Sequence, residues 1–131
     1  MIHSLVDLSQ LPPLRDVIRD HELRATKKLG QNFLLDLNLT DKIVRAAGNL
    51  TGVTAFEVGP GPGGLTRSLL QTDTQKVIAV EYDLRAIKAL EAVKTAAQGK
   101  LELHHDDALT VDLCALSEAP RAIVALSLIH I

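Results

Sequence analysis

The stretch FEVGPGPGGLT, residues 56–66, contains four glycines within six positions, and prolines stand between the first three of them. Glycine fits a tight turn that brings the backbone close to a ligand, because it has no Cβ in the way. Proline is unexpected in a loop that binds phosphate. Such loops bind through backbone N–H groups, and Pro60 and Pro62 have none. The stretch therefore predicts close contact with a ligand, and its prolines disfavour a phosphate.

The sequence around this loop alternates between strand and helix patterns. Strands are predicted at 53–58, 76–81, 100–105 and 121–126, and helices at 13–23, 38–47, 64–71 and 84–98. Glycines at 48 and 99 are expected to end two of the helices. The buried stripes are expected to contain Leu39, Ile43 and Ala46 or Ala47 in one helix, and Leu84, Ile87, Leu90, Val93 and Ala97 in another. Strands that alternate with helices predict an α/β fold with a parallel sheet and flanking helices.

Acidic residues lie at the carboxyl ends of three predicted strands. Glu57 precedes the glycine loop, Glu81 ends the second strand, and Asp106 and Asp107 follow the third. Ligands of open parallel sheets bind beyond these strand ends. The sequence therefore predicts a binding crevice lined by carboxylates, with an ordinary exposed strand end as the alternative for Glu81. A turn or helix cap is the alternative for Asp106 and Asp107, and it is favoured for Asp106.

The glycines at 59, 61 and 64 match the G-x-G-x-x-G pattern of dinucleotide sites, and Glu81 follows Gly59 by 22 residues. A carboxylate at that place can accept hydrogen bonds from both ribose hydroxyls. The prolines and the negative charge expected on Glu57 oppose a pyrophosphate. A cationic, phosphate-free adenosine such as S-adenosylmethionine fits better, with Asp107 accepting from its adenine amine.

Composition narrows the function further. The chain has 131 residues, 47% of them hydrophobic, a net charge of −2 and a single cysteine. These values predict a cytoplasmic globular protein without a membrane segment. The basic cluster Arg24, Lys27 and Lys28 is either a solvated loop or a strip that faces RNA. No metal site is predicted, because the adjacent residues of HHDD, 104–107, point to opposite faces of a strand.

Four motifs resemble the ribosomal RNA adenine dimethylases of the bacterial small-subunit type. They are KKLGQNFL (27–34), EVGPGPGGLT (57–66), VIAVEYD (77–83) and HDDAL (105–109), and the resemblance extends over roughly residues 15–125. It implies a Rossmann-like, S-adenosylmethionine-dependent methyltransferase that dimethylates two adjacent adenines. The implied partner is small-subunit ribosomal RNA or the immature small subunit, and we expect a monomer.

The same resemblance implies a set of cofactor-binding residues. Asn32 and Leu34 are expected to line the cofactor site from the N-terminal segment. Gly59 is expected against the amino-acid part of the cofactor, Glu81 on its ribose and Asp107 near its adenine amine.

The chain departs from the family after the fourth strand. Members of the family continue into Asn-Leu-Pro-Tyr, whose asparagine and following carbonyl are thought to orient the adenine amine, whereas residues 126–129 here read LSLI. No catalytic residue is therefore assigned. We expect an N-terminal fragment, truncated after about the fourth strand, that is inactive alone. Its parts would be a helix and cofactor- or RNA-facing segment at 1–35, a partial methyltransferase domain at 36–125 and a non-family tail at 126–131.

Three other possibilities remain open from the sequence. One is a naturally divergent protein that ends at Ile131. Another is a non-catalytic RNA-binding or ribosome-assembly protein, which the missing motif favours. The third is an NAD-dependent oxidoreductase, which the prolines and Glu57 disfavour.

Overall fold

The computed structural model describes residues 6–23, 36–107, 109–116, 118 and 120–125. The helices are α1 (Leu14–Asp20), α2 (Leu37–Ala46), α3 (Gly64–Leu70) and α4 (Leu84–Ala96). The strands are β1 (Thr54–Val58), β2 (Lys76–Glu81), β3 (Leu101–His105) and β4 (Arg121–Ala125). The predicted elements are confirmed, and their described ends differ from the predicted ends by at most three residues. The 3₁₀ turn Leu113–Leu116 was not predicted.

The four strands form one parallel sheet in the order β3-β2-β1-β4. The chain proceeds outward from β1 through β2 to β3 and then returns to place β4 on the other side of β1. This return creates a switch point at the carboxyl end of β1, which is where open parallel sheets bind ligands. The predicted α/β fold is confirmed, and the glycine loop follows the strand at the switch point.

Local signals explain where the helices begin and end. Asp36 caps α2, because its Oδ1 accepts a hydrogen bond from the N–H of Asn38 at 2.9 Å. Asp83 caps α4 in the same way through the N–H of Arg85, also at 2.9 Å. Gly99, which follows the end of α4, has φ +92°, a conformation that favours glycine.

Apolar side chains from both layers fill the space between the sheet and its helices. The buried residues of the main core include Ala55, Val77, Ala79, Leu65, Leu69, Leu70, Leu90 and Val93. The middle strands β1 and β2 are almost fully buried, as expected for parallel strands that are covered on both faces. This packing holds the carboxyl ends of the strands in fixed positions under the glycine loop.

Two predicted helix stripes were partly wrong. In α2 the buried residues are Thr40 and Val44, whereas Leu39 is 41% exposed. The helix is rotated because Thr40 Oγ1 lies 2.7 Å from Ser68 Oγ of α3, so that a polar contact is buried where an apolar one was expected. In α4, Leu84 is 50% exposed because it stands in the first turn, and Ala86 and Ala89 are buried against α1 instead.

Among the helices in the described ranges, none is long and apolar enough to cross a membrane.

Candidate functional site

The carboxyl ends of β1, β2 and β3 meet at one edge of the sheet. Val58 pairs with Val80, and Glu81 pairs with His105 in the parallel register. The backbone oxygen of Glu81 also accepts a hydrogen bond from the N–H of Asp106 at 3.0 Å. The acidic strand ends that the sequence predicted are therefore brought together around the end of β2.

The glycine loop uses its own N–H groups internally. Gly59 donates to the carbonyl of Val80 at 2.9 Å, and Gly63 donates to the carbonyl of Pro60 at 3.0 Å. Gly61 donates to Oε1 of Glu81 at 3.0 Å. Since the two prolines have no N–H, every donor of residues 59–63 is already engaged. A pyrophosphate placed against these five residues would find no available backbone donor.

Gly63 shows why the loop needs glycine. Its φ is +99°, and a Cβ built there would lie 2.8 Å from Cδ2 of Leu90 in α4. Any larger residue would be strained in its backbone and would push against the core. The loop is thus packed directly onto α4 and approaches the site in a defined position.

The carboxylate of Glu81 lies at the centre of the site. It is 9% exposed, and its two oxygens accept from two different segments: Oε1 from Gly61 and Oε2 from the N–H of Asp83, each at 3.0 Å. An ionised carboxylate offers about four acceptor positions. Two positions therefore remain for donors from a ligand, such as the two hydroxyls of a ribose.

Glu57 differs from the sequence-based expectation. Its side chain is buried at 2% exposure and accepts a hydrogen bond from the hydroxyl of Thr66 in α3. Burial raises the pKa of Glu57 to about 8, and the negative charge of Glu81 acts in the same direction. The prediction that Glu57 places a negative charge beside the loop is therefore wrong at neutral pH, where its carboxyl group is mostly protonated.

The two aspartates after β3 form a turn. Asp106 Oδ1 accepts from the N–H of Asp107 at 2.8 Å, and Asp107 Oδ1 accepts from the N–H of Leu109 at 2.9 Å. The turn alternative is thus confirmed for both residues. Asp107 retains acceptor capacity on its carboxylate, and the turn is attached to the end of β2 by the hydrogen bond from Asp106 to Glu81.

Two site features were missed from the sequence. Tyr82 directly follows Glu81, is 74% exposed, and lies with its ring 6.5 Å from that of His105. The motif VEYD places this aromatic residue directly after Glu81, the residue predicted to bind ribose, and this was the available signal. Arg67 in α3 had no such signal. It is 7% exposed, burial lowers the pKa of its guanidinium, and its Nε and Nη2 have no hydrogen-bond partner in the described part of the chain.

Other predicted residues lie outside the described ones. These are Asn32 and Leu34, the basic cluster Arg24, Lys27 and Lys28, and residues 126–131.

His104 Nε2 lies 2.6 Å from Glu102 Oε2, while His105 Nε2 lies 2.9 Å from the backbone oxygen of Tyr82. Within the described ranges, no three His, Cys, Asp or Glu side chains are arranged to bind a metal.

Comparison with known proteins gives consistent matches. The profile of the family described as ribosomal RNA adenine dimethylase matches residues 22–126. Ribosomal RNA small subunit methyltransferase A of Paracoccus denitrificans is 60% identical over 115 residues, which cover 88% of this chain and 41% of that protein. The Rhizobium meliloti protein of the same name is 56% identical over 118 residues, or 90% of this chain and 43% of its own length. The chain thus spans about two fifths of the length of these relatives.

A solved structure supports the same grouping. The 23S rRNA methyltransferase ErmE has a TM-score of 0.62 and 30% sequence identity to this chain. The match covers 72% of this chain and 36% of that one. The parallel sheet and its flanking helices are therefore those of a Rossmann-like methyltransferase.

Proposed function

Because this chain belongs to the ribosomal RNA adenine dimethylase family, we propose that it binds S-adenosylmethionine at the carboxyl ends of β1, β2 and β3. The observation that carries the proposal is the hydrogen bonding of the glycine loop. Its donors are engaged within the protein, while the carboxylate of Glu81 keeps acceptor positions. This combination fits a ligand with ribose hydroxyls and no phosphate, which disfavours NAD and favours S-adenosylmethionine.

Different residues of the chain are assigned to different parts of the cofactor. Gly59 lies against the amino-acid part, Glu81 accepts from the ribose hydroxyls, and Asp107 accepts from the adenine amine. Tyr82, exposed beside Glu81, offers an aromatic surface to the adenine. Asn32 and Leu34 complete the site from the N-terminal segment. When bound, the cofactor would supply an electrophilic methyl group on its sulfonium.

The neutral state of Glu57 suits this arrangement. A protonated carboxyl held by Thr66 supports the start of the loop without adding charge beside the carboxylate of Glu81. The charge of Glu81 raises the pKa of Glu57, because the two carboxyl groups would repel if both were ionised. The site thus keeps the side chain of Glu81 as the acceptor where the ligand hydroxyls are placed.

The substrate we propose is small-subunit ribosomal RNA, with two adjacent adenines as the methyl acceptors and the immature small subunit as the partner. Support comes from the family and from the name of the Paracoccus relative. The basic cluster Arg24, Lys27 and Lys28 would contact RNA phosphates.

We propose that this 131-residue chain binds the cofactor and does not transfer its methyl group. An adenine amine is a poor nucleophile, because its lone pair is delocalised into the ring. An asparagine side chain could orient the amine by accepting its hydrogen, but position 126 is leucine, whose side chain accepts nothing. The same substitution favours the second candidate, a non-catalytic RNA-binding or assembly protein, for the chain as it stands.

Calorimetric titration with S-adenosylhomocysteine tests the site. Glu81→Ala should weaken binding by about 10- to 100-fold, the scale of hydrogen bonds to a charged group. Glu91→Ala, which removes an exposed carboxylate from α4, is the matched control and should bind as the wild type does. Unchanged binding by Glu81→Ala would remove Glu81 from the site.

Mass spectrometry of digested RNA tests the separation of binding from transfer. Immature small subunits incubated with the chain and saturating S-adenosylmethionine should contain no added dimethyladenine. Dimethyladenine formed by the unmodified chain would show that groups other than an asparagine at 126 orient the amine.

A further inference from the structure

The side chain and backbone of Glu81 join three segments around the site. The carboxylate accepts from Gly61 in the glycine loop and from Asp83 at the start of α4, each at 3.0 Å. Its backbone oxygen accepts from Asp106 after β3, also at 3.0 Å. One residue thus connects the loop after β1, the turn after β2 and the turn after β3.

The hydrogen bond from Gly61 to Glu81 is the only one that the backbone N–H groups in the middle of the loop can donate. Pro60 and Pro62 stand on either side of Gly61 and have no N–H, so Gly61 is the sole donor of residues 60–62. Its φ of +56° is a conformation that costs glycine little and that many neighbouring arrangements could replace. The hydrogen bond to Glu81 selects one arrangement, in which the loop lies over the end of β2.

The start of the loop is held differently. Gly59 donates to the backbone carbonyl of Val80, which no side-chain substitution at position 81 removes. The loop is therefore attached to β2 at two successive points, one through the backbone and one through a side chain. Only the second depends on the identity of residue 81.

We propose that Glu81 is a positioning residue for the glycine loop, in addition to its role toward ribose under the proposed function. The carboxylate holds Gly61 in place before any ligand arrives, so the loop is pre-organised and less ordering is required on binding. Removing Glu81 then weakens binding even of a ligand that has no hydroxyl for Glu81 to accept from. A residue that acted only on the ribose would have no such effect.

Amide hydrogen exchange of the ligand-free chain, followed by NMR, tests the positioning role without any ligand. In Glu81→Ala the amide of Gly61 should exchange at least about tenfold faster than in the wild type, while that of Gly59 stays within about threefold. Glu91→Ala on the exposed face of α4 should change neither amide. Equal protection of Gly61 in Glu81→Ala and the wild type would overturn the proposal.

A binding cycle separates the two roles of Glu81. Wild type and Glu81→Ala are titrated with S-adenosylhomocysteine and with its analogue that lacks both ribose hydroxyls. If Glu81 also positions the loop, the substitution lowers the affinity for the analogue by about three- to tenfold and the affinity for S-adenosylhomocysteine by more. If the substitution leaves the affinity for the analogue unchanged, Glu81 acts through ribose alone and the proposal is overturned.

The two measurements distinguish failure of the inference from failure of the proposed function. If neither ligand binds the wild type, the proposed cofactor is wrong, and exchange at Gly61 alone decides whether Glu81 holds the loop. If Glu81→Ala does not fold, Glu81→Gln replaces it in both measurements. Its single carbonyl can accept from Gly61 or from Asp83 but not in the same way from both, so intermediate exchange at Gly61 or Asp83 is expected, and unchanged exchange at both contradicts the proposal.

Discussion

Glu57→Gln should make the chain more stable at neutral pH and should change how its stability depends on pH. Glu57 is 2% exposed and accepts from the hydroxyl of Thr66. Burial, together with the charge of Glu81, raises the pKa of Glu57 to about 8 from its ordinary value of 4.5. Glutamine has nearly the shape of a protonated glutamate, and its carbonyl can still accept from Thr66.

The sign follows from the protons bound in each state. Between pH 4.5 and about pH 8, the folded protein keeps the proton on Glu57 while the unfolded chain releases it. Stability therefore falls as the pH rises through this window, and the loss is complete above about pH 8. Between pH 5 and pH 7 the loss from this one group is about 2–3 kcal/mol. Glu57→Gln removes it, because glutamine does not titrate.

Urea unfolding followed by circular dichroism at pH 5, pH 7 and pH 9 measures this effect. The free energy of unfolding of Glu57→Gln should exceed that of the wild type by a margin that grows from pH 5 to pH 7 and levels off near pH 9. Other titrating groups are shared by both proteins, so their contributions cancel in the difference. A difference that is the same at all three pH values would show that Glu57 is ionised in the folded protein.

Three further substitutions test contacts elsewhere in the structure, each by urea unfolding at pH 7. Arg67→Met should raise the free energy of unfolding by about 1–3 kcal/mol, because it replaces a buried guanidinium that lacks partners for two of its nitrogens within the described ranges. Arg45→Met, on an exposed face of α2, should change the free energy of unfolding little, and a loss of stability in Arg67→Met would show that the charge is paired. Gly63→Ala should lower the free energy of unfolding by about 1–3 kcal/mol more than Gly48→Ala does. Both glycines have positive φ, but only at Gly63 would the added Cβ lie 2.8 Å from a side-chain atom. Equal losses in the two variants would show that this steric clash does not occur. Lys100→Met should lower the free energy of unfolding by about 1–2 kcal/mol, because the ammonium of Lys100 donates to the backbone carbonyls of Leu70 and Thr72 at the C-terminal end of α3. An unchanged midpoint would show that water satisfies those carbonyls equally well.

The sequence predicted those features that depend on neighbouring residues. The helices and strands were predicted from the periodicity of apolar residues and from the glycines that end two helices. The position of the site was predicted from the glycine loop and the acidic residue that follows it at the end of β2. Strand β2 was predicted residue for residue as 76–81, because a continuous apolar run between turn residues indicates a buried parallel strand. The turn formed by Asp106 and Asp107 was among the alternatives, because aspartates often hydrogen-bond to nearby backbone N–H groups.

The features that the sequence did not predict depend on contacts between distant segments. The protonation of Glu57 follows from burial beneath α3, which a pattern of single residues does not show. The contact between Thr40 and Ser68 rotated α2 by about one position relative to the predicted stripe, because a buried hydroxyl pair replaced an apolar contact. The hydrogen bond from Gly61 to Glu81 joins residues 20 positions apart, and it changes the reason why a phosphate is disfavoured. A phosphate is disfavoured because the loop donors are engaged, and not because of Glu57, whose carboxyl group is mostly uncharged at neutral pH.

Isothermal titration calorimetry of the 131-residue chain with S-adenosylmethionine and, separately, with NAD tests the central claim most directly. Both ligands carry adenosine and ribose hydroxyls for Glu81, but only NAD carries a pyrophosphate that needs the donors already engaged at Gly59, Gly61 and Gly63. We predict saturable binding of S-adenosylmethionine and binding of NAD weaker by at least about 100-fold, since a pyrophosphate would have to break the hydrogen bonds that these loop donors already make. NAD bound with comparable affinity would show that the loop releases its donors to a phosphate and would contradict the assignment of the site.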